Sequence, residues 1–80
     1  MTIHVRLFAM MAQHLGRPAL ALELPSDSRL SKVQHALQAQ FPKLPWPSGT
    51  LLAINQEYAA ADTVLRDGDE VAIIPPVSGG

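Results

Sequence analysis

Chemistry in an 80-residue chain has to come from a short list of groups, and this sequence offers few of them. There is no cysteine, which removes disulfides, thiolate metal sites and thiol nucleophiles together. The three histidines, His4, His14 and His35, have no spacing that would set two imidazoles on one ion. Asp67, Asp69 and Glu70 form an acidic run, but the other ligand positions of a calcium loop are missing, and Gly68 accounts for them as turn residues. No serine sits in a glycine-flanked elbow, and no glycine-rich loop opens a helix after a strand. What remains is the end of the chain, Pro75-Pro76-Val77-Ser78-Gly79-Gly80. Six extended residues reach roughly 20 Å at about 3.3–3.6 Å each, enough to carry a terminal carboxylate into a partner's cleft. Lacking a Cβ, Gly79-Gly80 is the thinnest peptide that a narrow channel can admit. Taken alone, the same stretch also fits a frayed terminus.

The elements that must hold this tail follow from patterning. Thr2 to Phe8 alternates, with Ile3, Val5 and Leu7 on one face and Thr2, His4, Arg6 and Phe8 on the other, which predicts a strand with one buried face. Phe8 then caps the strand end or stands exposed as a contact residue. Ala9 to Leu15 contains helix formers and Gly16 supplies a left-handed cap, so a short helix is expected, with one of Met10 and Met11 outside the core. Leu20, Leu22 and Leu24 point inward from a second strand that Pro25 closes, antiparallel to the first. Ser26-Asp27-Ser28 offers N-caps to a main helix over about Arg29 to Gln40, whose apolar side is Leu30, Val33, Ala36, Leu37 and Phe41 and which leaves His35 solvated. Lys43 to Thr50 is a loop in which Trp46, between two prolines, has two readings, as cover for a core edge, the commoner role of so large an apolar side chain, or as a binding-site residue. Leu51 to Ile54 is a short strand, Asn55-Gln56 a tight turn into Glu57-Tyr58, and Val64-Leu65 an apolar anchor before the Asp67-Gly68 turn. Glu70 to Ile74 is apolar on both faces, which predicts an internal strand, and the proline pair ends it at about Pro75. The order of elements is α+β, one helix packed across a small mixed sheet.

Composition narrows the function classes. The chain is short enough for a single domain, 1–80, with a flexible tail over 75–80, burying only about 60–65% of its unfolded surface. The 48% hydrophobic share is ordinary, and the 16% charged share is low, as expected of a protein with a partner-covered face. With net charge −1 and its six basic residues scattered, the chain lacks the electrostatic footprint of a nucleic-acid binder. Neither a membrane span nor a signal peptide is evident, so a cytoplasmic protein is expected.

Set beside the tail, Leu51-Leu52-Ala53-Ile54-Asn55-Gln56 and Leu65-Arg66-Asp67-Gly68-Asp69-Glu70-Val71 make a specific pattern. The chain resembles the small, sulfur-carrying subunits of molybdopterin synthase, and Phe8-Ala9 before a helix ending at Leu15-Gly16 extends the likeness over nearly its whole length. The resemblance implies a ubiquitin-like β-grasp fold and a carrier that is no enzyme by itself. An ATP-dependent activating enzyme would adenylate the Gly80 carboxylate, sulfur would replace the adenylate, and the thiocarboxylate would enter the large subunit of a heterotetramer of two small and two large chains. There two sulfur transfers convert cyclic pyranopterin monophosphate into the dithiolene of molybdopterin. By the same resemblance Gly80 is the loaded residue, Gly79 the stem, Pro76, Val77 and Ser78 the inserted tail, and Phe8, Tyr58 and Ile74 contacts to partners. No tightly bound cofactor is implied, the ATP being used by the activating enzyme. Bacterial relatives often carry an aromatic residue in place of Ile74 and a basic one in place of Ala12, so the interface is expected to be tuned differently here. Three other readings stay open: a sulfur carrier for thiazole and thiamine synthesis, a ubiquitin-like modifier joined to lysines through Gly80, and an interaction module with an inert tail.

Overall fold

Alternation does produce the first strand. In the computed structural model, which describes residues 1–76, β1 (Thr2–Leu7) buries Ile3, Val5 and Leu7 and turns His4 and Arg6 to solvent. The short helix α1 (Ala9–Leu15) ends as its glycine predicts: Gly16 has φ 72°, its N–H reaches the Gln13 carbonyl and the Arg17 N–H the Ala12 carbonyl, the paired bonds of a Schellman cap. Met11 is fully buried and Met10 is exposed, so only one methionine enters the core.

Strand β2 (Ala19–Glu23) returns antiparallel to β1 in the register Ile3 to Leu22 and Val5 to Leu20, which keeps the leucines on the buried side. Met1 and Leu24 exchange backbone hydrogen bonds at the end of this pair. The main helix α2 (Ser31–Gln40) starts later than the apolar spacing suggests. Arg29 forms a β-bridge with Val64, and the N–H groups of Leu30 and Ser31 bond to the carbonyls of Thr63 and Ala61. The backbone ahead of the helix is therefore spent on a neighbouring loop. Ser28 does not cap α2 either, since its hydroxyl donates to the Pro25 carbonyl. Leu30, Val33 and Leu37 are fully buried as expected, and the helix ends before Pro42.

Strands β3 (Leu51–Ile54) and β4 (Glu57–Tyr58) form a hairpin around Asn55-Gln56, both with positive φ, 50° and 74°. Two successive left-handed residues are the requirement of a type I′ turn. Asn55 also ties this turn to the next one. Its amide donates to Asp69 Oδ1 and its carbonyl oxygen accepts from the Glu70 N–H, while Asp69 Oδ2 accepts from the Arg66 N–H. Asp67 accepts from the Thr2 N–H, and the Gly68 N–H donates to the Thr2 carbonyl. The acidic run is thus a set of turn braces. Of the expected Val64-Leu65 anchor only Leu65 is buried; Val64 is exposed because its backbone bridges Arg29 at the surface.

The last strand, β5 (Glu70–Ile74), lies between β1, to which it is parallel, and β3, to which it is antiparallel, giving the sheet order β2-β1-β5-β3-β4. Val71 and Ile73 meet the helices on one face, together with Leu52 and Ile54 of β3. Trp46 and Phe41 are half-buried against the rim of this core. These features make an α+β, ubiquitin-like β-grasp. The expected internal strand is confirmed, but its second apolar face, Ala72 and Ile74, is not covered by another layer among the described residues.

Two substitutions test the turn and a third the core. Asn55→Ala should lower stability by about 1–2 kcal/mol, since two exposed hydrogen bonds and a residue tolerant of positive φ are lost together. Gln56→Gly should raise it by roughly 0.5–1 kcal/mol by relieving a left-handed residue that has a Cβ. Ile73→Ala should cost about 2–5 kcal/mol through the cavity it leaves. Urea unfolding of the four proteins, with m-values compared, measures all three effects.

Candidate functional site

The uncovered face of the sheet can be laid out from the strand registers. One row across it runs His4 and Glu70; the next runs Arg6, Ala72, Ala53 and Tyr58; the third holds Ile74 and Leu51. One step further along the β1–β5 register sets Phe8 beside Ile74. Charge therefore lies at one end of the face, and apolar side chains gather at the other, where the chain leaves β5. Leu51 is 51% exposed, Tyr58 69% and Phe8 42%, far more than a packed domain leaves on large apolar residues grouped together. Ala53 is buried on this side and does not belong to the core cluster of the other face.

Phe8 is held there by the backbone. It is extended, with φ −131° and ψ 157°, and Ala9 follows with φ 50°. A left-handed alanine costs on the order of 1 kcal/mol or more. It turns the chain sharply, so that α1 packs under the sheet while Phe8 remains on the opposite face. Arg6 lies 6.0 Å from the centroid of the Phe8 ring and 3.9 Å from Glu70 Oε1. Both partners of the ion pair are well exposed, so it orients the arginine more than it stabilises the fold.

Phe8, Tyr58 and Ile74, the residues that the sequence resemblance assigns to partner contact, are thus brought to one face from three different strands or strand ends. Leu51 belongs with them and was not singled out by the sequence, because alternation in a four-residue apolar strand does not tell which side is outward. Pro76, the first inserted-tail residue, is exposed and follows the half-buried Pro75 beyond the end of β5. Val77, Ser78, Gly79 and Gly80 lie outside the described residues. Among the described residues no polar or charged side chain is buried, no group of three metal-binding side chains occurs, and no helix is long and apolar enough to cross a membrane. A docking face beside a tail is what the arrangement can offer chemically.

Known proteins are similar to this chain in sequence and fold. The family model described as the ThiS family matches residues 5–80. The molybdopterin synthase sulfur carrier subunit of Arabidopsis thaliana is 42% identical over 79 residues, covering 98% of this chain and 82% of that protein. The crystal structure of SAMP1 from Haloferax volcanii superposes with a TM-score of 0.85 at 26% identity over 100% of both chains. One chain of the protein–protein complex of subunits 1 and 2 of the molybdopterin-converting factor from Helicobacter pylori matches with a TM-score of 0.71 at 25% identity, again over 100% of both chains. With its sheet order, its open apolar face and a match running from Val5 to the last glycine, the chain belongs to the ThiS family.

Proposed function

We propose that this protein is the sulfur-carrying subunit of a molybdopterin synthase, with the Gly80 carboxylate as the group that is loaded. The carrying observation is the open sheet face, whose apolar residues Phe8, Leu51, Tyr58 and Ile74 run up to the point where the chain leaves β5 toward Gly79-Gly80. The relatives' shared name as sulfur carrier subunits of molybdopterin synthase supports the pathway.

The chemistry follows from what a carboxylate lacks. Its oxygen is a poor leaving group, so attack of the Gly80 carboxylate on the α-phosphorus of ATP, with loss of pyrophosphate, supplies a mixed anhydride from which AMP departs readily. A sulfur nucleophile at the oxidation level of sulfide then displaces AMP and leaves the thiocarboxylate. The thiocarboxylate sulfur next bonds to cyclic pyranopterin monophosphate within the large subunit, and water cleaves the resulting thioester at the acyl carbon, leaving the sulfur on the pterin and returning the carboxylate of Gly80. A dithiolene holds two sulfurs, so two loaded tails are consumed for each molybdopterin, in keeping with an assembly of two small and two large chains. The adenylating enzyme and the large subunit supply the catalytic groups. This chain contributes a docking face and a thin, reactive terminus, which is catalysis by proximity. The partner subunit named in the Helicobacter pylori complex supports this division of labour.

A second reading is favoured by one observation, the likeness to SAMP1, a small archaeal modifier protein by name. In that case Gly80 would be joined to lysine amines. The family model's own name keeps the thiazole pathway as a third possibility.

Intact-mass measurement separates these. Incubated with its activating enzyme, ATP and a sulfur donor, the protein should gain the mass difference between sulfur and oxygen, located on the C-terminal peptide; no gain sinks the carrier reading. Deleting Gly80, or adding one residue after it, should abolish molybdopterin formation in a reconstituted assay while thermal unfolding stays unchanged. Lysine conjugates in place of sulfur transfer would establish the modifier, and co-purification with a thiazole synthase the thiamine pathway. For the docking face, Leu51→Asp or Tyr58→Asp should weaken binding to the large subunit by at least about tenfold, because a carboxylate would be buried among apolar groups. Titration calorimetry gives the affinity. The same variants should alter unfolding free energy by no more than about 0.5 kcal/mol, since both side chains are exposed.

A further inference from the structure

Arg6 is a cation whose neighbours across the open sheet face are too short to meet it. In its row stand Ala19 on β2 and Ala72 on β5, with Ala53 beyond on β3. Along β1 the same face carries His4 and Phe8, two residues to either side. The anion that approaches it is Glu70, from the adjoining row of β5, and the gap to Nη1 is 3.9 Å, longer than a hydrogen bond. Arg29 donates to the Asp62 carbonyl at 2.7 Å, whereas the Arg6 guanidinium donates to no acceptor among the described residues. Its five N–H donors are left to solvent, as the 55% exposure of the side chain allows in the free protein.

Docking changes that. The guanidinium lies 6.0 Å from the centroid of the Phe8 ring, so a partner that covers Phe8 also takes solvent from Arg6. A buried guanidinium with no hydrogen-bonded partner opposes binding strongly, while one held by a carboxylate through two parallel bonds adds specificity. The surface leaves room for such a group. An open hollow of about 560 Å³ lies beside Arg6, lined in part by His4, Glu70, Pro18, Ala19 and Ala21. Both alanines are exposed, and each offers only a methyl group. A side chain with an apolar stem and an anionic head is the complement of a hollow with alanine on one side and a guanidinium on the other.

We propose that Arg6 is a specificity residue of the docking face: it binds a carboxylate side chain, aspartate or glutamate, that the large subunit seats in the hollow over Ala19 and Ala21. This rests on the carrier reading above, which supplies that partner. Phe8, Leu51, Tyr58 and Ile74 provide contact area that any apolar surface of the right shape can use. Arg6 rejects a partner without the acid, because such a partner strands the guanidinium.

Titration calorimetry of the full chain against the large subunit tests this, with melting temperatures as the check on folding. Arg6→Met keeps the stem and removes the fork, and it should weaken binding by about tenfold or more at an unchanged melting temperature. Glu70→Gln should tighten binding by about threefold, because the carboxylate that competes for Arg6 and repels a second one is gone. Were Glu70 the group that satisfies Arg6 in the complex, Glu70→Gln would weaken binding instead. Raising the salt from about 50 to about 500 mM should weaken wild-type binding more than that of Arg6→Met, since only the wild type pairs charges at this point. A carbodiimide gives the direct readout. In the complex of the Arg6→Lys variant it should join residue 6 to a carboxylate of the large subunit as an amide, and peptide mass spectrometry identifies the acid. The inference is overturned by Arg6→Met binding as tightly as the wild type, by Glu70→Gln binding no tighter, by equal salt dependence, or by residue 6 coupling to no carboxylate of the large subunit. Wild-type binding in those experiments leaves the carrier reading intact. A wild-type chain that the large subunit does not bind overturns the carrier reading itself, and this inference with it.

Discussion

Strand β5 is hydrogen-bonded along both edges, and the rest of the structure depends on that double pairing. Its parallel partner β1 is the first strand of the chain, so the connection between them runs through both helices and the other strands, and α2 makes the crossover from β2 at one edge of the sheet to β3 on the far side of β5. Its antiparallel partner β3 brings the hairpin to the sheet's other edge. The pairing is braced at one end by Asn55, Asp67 and Asp69, which bond the turns to the starts of β1 and β5. At the other end Pro75 and Pro76 bring no donors to the ladder.

Both helices pack on the same side of the sheet. Fully burying an aliphatic side chain contributes about 1.5–3 kcal/mol, and one core of buried residues from the sheet and helices is the source of stability for so short a chain. Among the described residues nothing covers the other side. It is nevertheless apolar near the tail, where Phe8, Leu51, Tyr58 and Ile74 gather, and a left-handed alanine is tolerated to keep Phe8 there. Apolar surface and backbone strain that do nothing for the free domain are expected at a surface selected for binding.

Most of the buried face could be read from period alone. The alternation of Ile3, Val5 and Leu7, the 3.6-residue spacing of Leu30, Val33 and Leu37, and the Gly16 cap each depend on local geometry, and each appears as expected. The departures occur where a distant segment competes. Ser28 and Arg29 have the character of a helix start, but the 61–65 segment takes the backbone hydrogen bonds that would have placed them in α2. Val64 looks like half of an anchor and is held at the surface by the same bridge. The apolar second face of β5 suggested burial on both sides, and the described residues include no second layer to provide it; an exposed apolar face and a core face have the same composition.

The sequence by itself determined which strands have a buried side and where the main elements stop, because alternation, proline and glycine act through nearest neighbours and covalent structure. Only the tertiary structure decided that Phe8, Tyr58, Ile74 and Leu51 share one face, and that the 61–65 segment lies beside the start of the main helix. Those juxtapositions depend on the registers of β5 with β1 and β3 and on the bridge of Arg29 with Val64, pairings between segments far apart in the chain. Register is set by hydrogen bonding and packing across the sheet, and a short apolar strand does not encode which neighbour it will meet.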